Sequence, residues 1–92
     1  MSKRQKAPYF INYPNSQNVI ENGTAFFSGE VKGYPDNFSY QWYHNDNVIP
    51  DATGNSLIIN NVQFSNSGQY VLTVNNDAGI ASGIAYLIVD NS

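Results

Sequence analysis

Residues 65–79 read SNSGQYVLTVNNDAG. Between two turn signals, Ser65 to Gly68 and Asn75 to Gly79, Tyr70, Leu72 and Val74 fall at alternate positions. Successive side chains of a strand point to opposite faces, so these three share one side. The flanking Asn, Asp, Ser and Gly residues are those that turns favour, because they bond their own backbone or tolerate positive φ. The stretch therefore reads as a half-buried strand bounded by turns.

Working outward, the pattern repeats. Turn signals stand at Tyr13-Pro14-Asn15, Asn22-Gly23, Gly33 to Asp36, Asn45 to Asn47 and Asp51 to Asn55, with short runs rich in Val, Ile, Phe and Tyr between them. Alternation puts Ala25, Phe27, Gly29 and Val31 on one side of 24–32, and Phe38, Tyr40 and Trp42 on one side of 38–43. Leu57 and Ile59 share a side in 56–62, with Val62 closing the end, and Ala85, Leu87 and Val89 form the inward set of 81–89. Burying each large member contributes about 1.5–3 kcal/mol. No segment sustains a 3.6-residue period, so no long helix is expected. Seven or so strands in about 90 residues imply an all-β, two-sheet sandwich.

Composition sets bounds on function. The chain has 92 residues, 41% apolar and 14% aromatic, enough for one packed core. Charged residues are 12%, about half the usual share, and the net charge of −3 argues against nucleic-acid binding. No apolar run approaches the ~20 residues of a membrane span. The opening MSKRQKAPYF lacks the apolar stretch of a signal peptide, so secretion by that route is not expected. There are no cysteines, which excludes a disulfide framework and a thiolate metal site.

A family resemblance now becomes specific. GEVKGYP followed by YQW resembles strand B, the B–C turn and strand C of an intermediate-set immunoglobulin domain. SLIINNVQFSNSGQY resembles strand E, the E–F turn and a tyrosine corner, and VNNDAGIASGIAYLIV the F–G hairpin and strand G. The likeness covers residues 8–90 and rests on Trp42, Leu57, Gly68, Tyr70, Asn76 and Gly79 at these spacings. It implies an all-β Greek-key sandwich of about seven or eight strands in a single domain at 8–90, which leaves a flexible basic arm at 1–7 and a tail at 91–92. Gly29 and Leu72 occupy the family's two cysteine positions, and Asn66 stands where an aspartate is usual. A disulfide across that span would stabilise the fold by about 4 kcal/mol in the loop-entropy model. The expectation is that Leu72 fills the bridge's volume beside Trp42, over a glycine that has no side chain. Any larger residue at 29 should clash with Leu72 or Trp42. Gly29, Trp42, Leu57, Tyr70 and Leu72 are thus the fold-defining residues.

Little here carries chemistry. His44, the only histidine, follows Trp42-Tyr43 and reads as an exposed residue near a turn. The seven carboxylates are scattered, and none is paired for acid–base work. Asn45-Asp46-Asn47 and Asp51 to Asn55 lack a full calcium-loop pattern and serve turns equally well. Asn22-Gly23-Thr24 and Asn37-Phe38-Ser39 read as chance glycosylation matches in an asparagine-rich chain. No enzyme, metal or cofactor is expected.

Two features suggest binding to a protein partner. Lys3, Arg4 and Lys6 make the first residues basic while the body is acidic, which suits a tether. The outward side of strands C, F and G would show Gln41, Tyr43, Val71, Thr73, Ile84, Tyr86 and Ile88, more apolar than the B–E side with Phe26, Ser28, Glu30, Ile58 and Asn60. Tyr34 at a loop tip is a lesser candidate for sugars. The cysteine-free, asparagine-rich character resembles immunoglobulin-like domains of tailed-bacteriophage virions. That resemblance implies a display or attachment module on a capsid or tail, assembled in the host cytoplasm, with glycans as further ligands. The alternatives are a structural module of a muscle-type tandem array inside the cell and a bacterial surface adhesin domain.

Overall fold

The computed structural model describes residues 4–91. Among these residues nine strands form, with one three-residue 3₁₀ turn at Phe64–Asn66. They are β1 (Lys6–Asn12), β2 (Gln17–Ile20), β3 (Ala25–Ser28), β4 (Glu30–Tyr34), β5 (Ser39–His44), β6 (Asn47–Val48), β7 (Ser56–Ile59), β8 (Gly68–Asn76) and β9 (Gly79–Asp90). One sheet runs β2-β9-β8-β5-β6, with β2 parallel to β9 and the remaining pairs antiparallel. Facing it are the antiparallel pairs β1–β4 and β3–β7. The segments outnumber the expected strands for two reasons. The first stretch changes sheets after Asn12, at the buried Pro14, and the ladder breaks between β3 and β4 at Gly29. Tyr34–Pro35 is cis.

Alternation decides what is inside. Ala25, Phe27, Trp42, Val62, Tyr70, Leu72, Val74, Ala85, Leu87 and Val89 are buried, and Val31, Phe38, Tyr40, Leu57 and Ile59 pack around them half-buried. Trp42, Leu72 and Gly83 lie side by side across β5, β8 and β9. Across from this row stands Gly29, where an added Cβ would lie 2.9 Å from Leu72 Cδ2 and 2.9 Å from Phe10 Cε1. Leu72 therefore sits over Gly29 as expected, but the second close neighbour is Phe10 of β1, not Trp42. The same ring fills the space over Gly83, where a Cβ would meet Phe10 Cζ at 3.1 Å and Pro14 Cδ at 2.9 Å. Two glycines thus admit one leucine and one phenylalanine into the volume a disulfide would take.

Polar side chains hold the turns. The Tyr70 hydroxyl donates to the Asn66 carbonyl at 2.5 Å, while Asn66 Oδ1 accepts the Gln63 amide at 2.7 Å. Asn66 thus closes this turn with a neutral amide. Burial pushes the Tyr70 hydroxyl up to about 12, because removing water penalises the phenolate. Asn76 joins three segments. Its Nδ2 donates to the Lys6 and Pro35 carbonyls at 2.9 and 3.0 Å, and its Oδ1 accepts the Ala78 and Gly79 amides. One amide therefore fixes the β8–β9 hairpin, the β4–β5 turn and the start of β1.

Candidate functional site

The outer side of the five-stranded sheet is built by cross-strand register. Val48, Tyr43, Val71 and Ile84 form a continuous row across β6, β5, β8 and β9. Gln69 lies opposite Tyr86, and Asn18 beside Ile88. Ile84, Tyr86 and Ile88 are about half exposed, while Tyr43, Val71, Thr73 and Gln41 are half-buried. The structure therefore brings the expected partner face together, with one qualification of role. The Gln41 side chain donates to the Ile49 and Ala52 carbonyls at 2.9 and 3.2 Å, so it pins the β6–β7 connection. Thr73 Oγ1 donates to the Gln41 carbonyl at 3.3 Å, a cross-strand bond.

Two members of this apolar face escape sequence reading. Val48 (55% exposed) and Ile20 (55%) extend it at its two edges. Val48 lies in a two-residue strand too short to show alternation. Ile20 is on β2, whose exposed-and-covered pattern follows from its parallel pairing with β9, a non-local fact.

The three residues expected to form a basic arm are placed differently. Lys3 lies outside the described residues, and Arg4 is exposed ahead of β1. Lys6 is not part of an arm: it opens β1, its ammonium lies 4.8 Å from the Tyr9 ring centroid, and its carbonyl accepts from Asn76. Pairing with β4 and the Asn76 bond draw the strand start two residues earlier than the composition suggested.

His44 is likewise corrected. It is half-buried and stacks on Tyr70 with centroids 4.5 Å apart and planes 11° from parallel. Its Nε2–H donates to the Ser67 carbonyl at 2.9 Å, so it serves the tyrosine corner. Asn45 Oδ1 accepts the Gln69 amide at 2.9 Å, and Asn45, Asp46 and Asp51 adopt positive φ, so these oxygens and backbones shape turns. Among the described residues no group of three or more His, Cys, Asp and Glu side chains is placed to hold a metal. A polar cleft of about 600 Å³ beside β1 and β4 includes Asn12, Glu30 and Asn55. Asn12 is paired to Glu30 at 2.7 Å and Asn55 to the Gly29 carbonyl at 3.2 Å. No helix among the described residues is long and apolar enough to cross a membrane.

Comparison with known proteins places this geometry. Residues 7–76 match the family described as "Immunoglobulin domain" (Ig_3). Over 95% of its length the chain is 31% identical to part of smooth-muscle myosin light chain kinase of Gallus gallus, of which it spans 5%. Over 84% it is 32% identical to part of protein turtle of Drosophila melanogaster, spanning 6% of that protein. Among solved structures, the titin domains Z1Z2 in complex with telethonin superimpose with a TM-score of 0.85 at 29% identity, over 98% of this chain and 51% of that one. A chimeric titin Z1Z2 carrying a decorin peptide gives 0.84 at 28% identity, over 98% and 100%. The chain belongs to the immunoglobulin domain family.

Proposed function

We propose that this immunoglobulin domain is a non-catalytic structural and protein-binding module of the tandem-array type, used as a link that transmits tension. The observation that carries the reading is the parallel pairing of the N-terminal β2 with the C-terminal β9, in register from Gln17–Leu87 to Ile20–Asp90. Force on the two ends pulls these strands in opposite directions along their length. Their backbone bonds are then loaded together, in shear, instead of one after another. Likeness to titin and to myosin light chain kinase supports the same reading. None of the relatives named above is a virion protein, so the attachment reading implied by composition yields to the tandem-array alternative. The β5–β8–β9 face, extended by Val48 and Ile20, is the surface offered to a protein partner.

The test is single-molecule stretching of an array of identical copies. Val19→Pro removes one amide from the strand. It should lower the unfolding force while leaving the fold intact by circular dichroism. Equal forces for the parent and Val19→Pro arrays, or unfolding of the parent without a resolved force peak, would reject the tension-bearing role.

A further inference from the structure

Two strands of the smaller sheet face opposite fates at their outer edges. In β3–β7 the Gly29 amide donates to the Asn55 carbonyl at 3.0 Å, and these residues continue the register of Phe27–Leu57 and Ala25–Ile59. Bonded and non-bonded pairs alternate in an antiparallel ladder. Phe26–Ile58 and Ser28–Ser56 are therefore non-bonded pairs, whose N–H and C=O groups point away from each other. On the β3 side the outward groups of Phe26 are closed. The Gln17 side chain accepts the Phe26 amide at 3.1 Å and donates to the Phe26 carbonyl. On the β7 side no described residue bonds the amides or carbonyls of Ser56 and Ile58, and among the described residues β7 pairs with β3 alone.

The open edge, four residues long, also lacks deterrents other than its shortness. Native edges are blunted by charge, proline or a bulge, whereas β7 reads SLII in an even register. Beside it lies a groove of about 380 Å³, lined by Leu57, Ile59, Ile49, Tyr70, His44 and Asn66 among others. Outside, Ile58 (57% exposed) and Phe26 (51%) form an exposed apolar cross-strand pair. Charge is one-sided: the described bases Lys6 and Lys32 lie on the β1–β4 pair and Arg4 just before it, whereas Asp51 lies in the connection that leads into β7.

We propose that β7 is a docking edge for an extended strand of a protein partner, apolar at alternate positions and basic at its ends. The two-residue spacing of the free backbone groups at Ser56 and Ile58 requires an extended backbone. Alternate side chains of the incoming strand would enter the groove against Leu57 and Ile59, and the others would cover Ile58 and Phe26. Asp51, in the connection leading into β7, would attract its basic ends. This edge is separate from the β5–β8–β9 face and does not depend on membership of an array.

The experiment is an amide-resolved NMR titration and hydrogen-exchange measurement on the whole chain, with blocked peptides KVTVTVK, EVTVTVE and KVTPTVK as probes. In the free protein the Ser56 and Ile58 amides should exchange quickly while Leu57 and Ile59 are protected. KVTVTVK should shift and protect Ser56 and Ile58. The acidic and proline-broken peptides should bind at least tenfold more weakly. Ile58→Pro should abolish binding; should that variant not fold, Ile58→Lys, at an exposed position, should weaken KVTVTVK at least tenfold by adding like charge. The proposal is overturned if KVTVTVK leaves these amides unchanged up to its solubility limit, if its shifts map to β8 and β9, or if EVTVTVE binds as well. Protection of Ser56 and Ile58 that grows with protein concentration, without peptide, would assign the edge to a second copy instead.

Discussion

Replacing Gly29 tests the packing that stands in for a disulfide. A Cβ there lies 2.9 Å from both Leu72 Cδ2 and Phe10 Cε1, against an ordinary contact of about 3.4–4 Å. Each neighbour would have to retreat by roughly 0.5–1 Å in an interior packed at crystal density. Leu72 is fully buried between Trp42 and Gly83, so it has nowhere to go. Overpacking of this kind costs about 1–3 kcal/mol. Gly29 has no positive φ, so Gly29→Ala also recovers about 0.4–1 kcal/mol by restricting the unfolded chain. The net loss for Gly29→Ala is about 1–2 kcal/mol, and Gly29→Val, with two more methyl groups, should lose 3 or more by the same estimate. Urea unfolding followed by Trp42 fluorescence measures this. With a slope near 1 kcal/mol/M for so small a domain, the Ala midpoint should fall by about 1–2 M. A midpoint within error of the parent for Gly29→Val would refute the reasoning.

Further expectations follow from the turns. Tyr70→Phe leaves the Asn66 carbonyl without its donor and should cost about 1–3 kcal/mol by urea unfolding. The Tyr70 pKa is raised in the folded state, from 10.0 to about 12, so its stabilising effect is complete below pH 10 and is lost as pH rises toward 12. Urea midpoints across pH 9–12 should fall in the parent, with a shallower fall in Tyr70→Phe. Asn76→Ala removes bonds to four backbone groups and should cost about 1–3 kcal/mol. Its signature is faster hydrogen exchange at the start of β1, which distinguishes it from a general loss of stability.

Where a segment is half-buried, the sequence makes its structure legible. Tyr70-x-Leu72-x-Val74 and Ala85-x-Leu87-x-Val89 alternate because one side faces the core, and all six side chains are buried. The tyrosine corner was equally readable, since Asn66 and Tyr70 act over four residues. Features set by distant partners were not. Phe10 carries no local sign that it will lie over Gly29 and Gly83, contributed by β3–β4 and β9. The start of β1 at Lys6 depends on Asn76, seventy residues away. His44 reads as a surface residue until Tyr70 is stacked on it. The apolar outer face was legible on β5, β8 and β9 from alternation, but Ile20 and Val48 joined it only through strand order. The open edge of β7 is invisible in sequence, because an unpaired strand and a paired one have the same period.

The most direct measurement is a double-mutant cycle between Gly29→Ala and Leu72→Ala. Leu72→Ala alone should cost about 3–5 kcal/mol, since a glycine opposite cannot collapse into the cavity. Placed in that background, the methyl of Gly29→Ala enters vacated space and should be neutral or stabilising. The two changes should therefore be less destabilising together than their sum by about 1–3 kcal/mol. Additive effects would mean that Leu72 and Gly29 do not share one volume, and the packing account of this cysteine-free immunoglobulin domain would be contradicted.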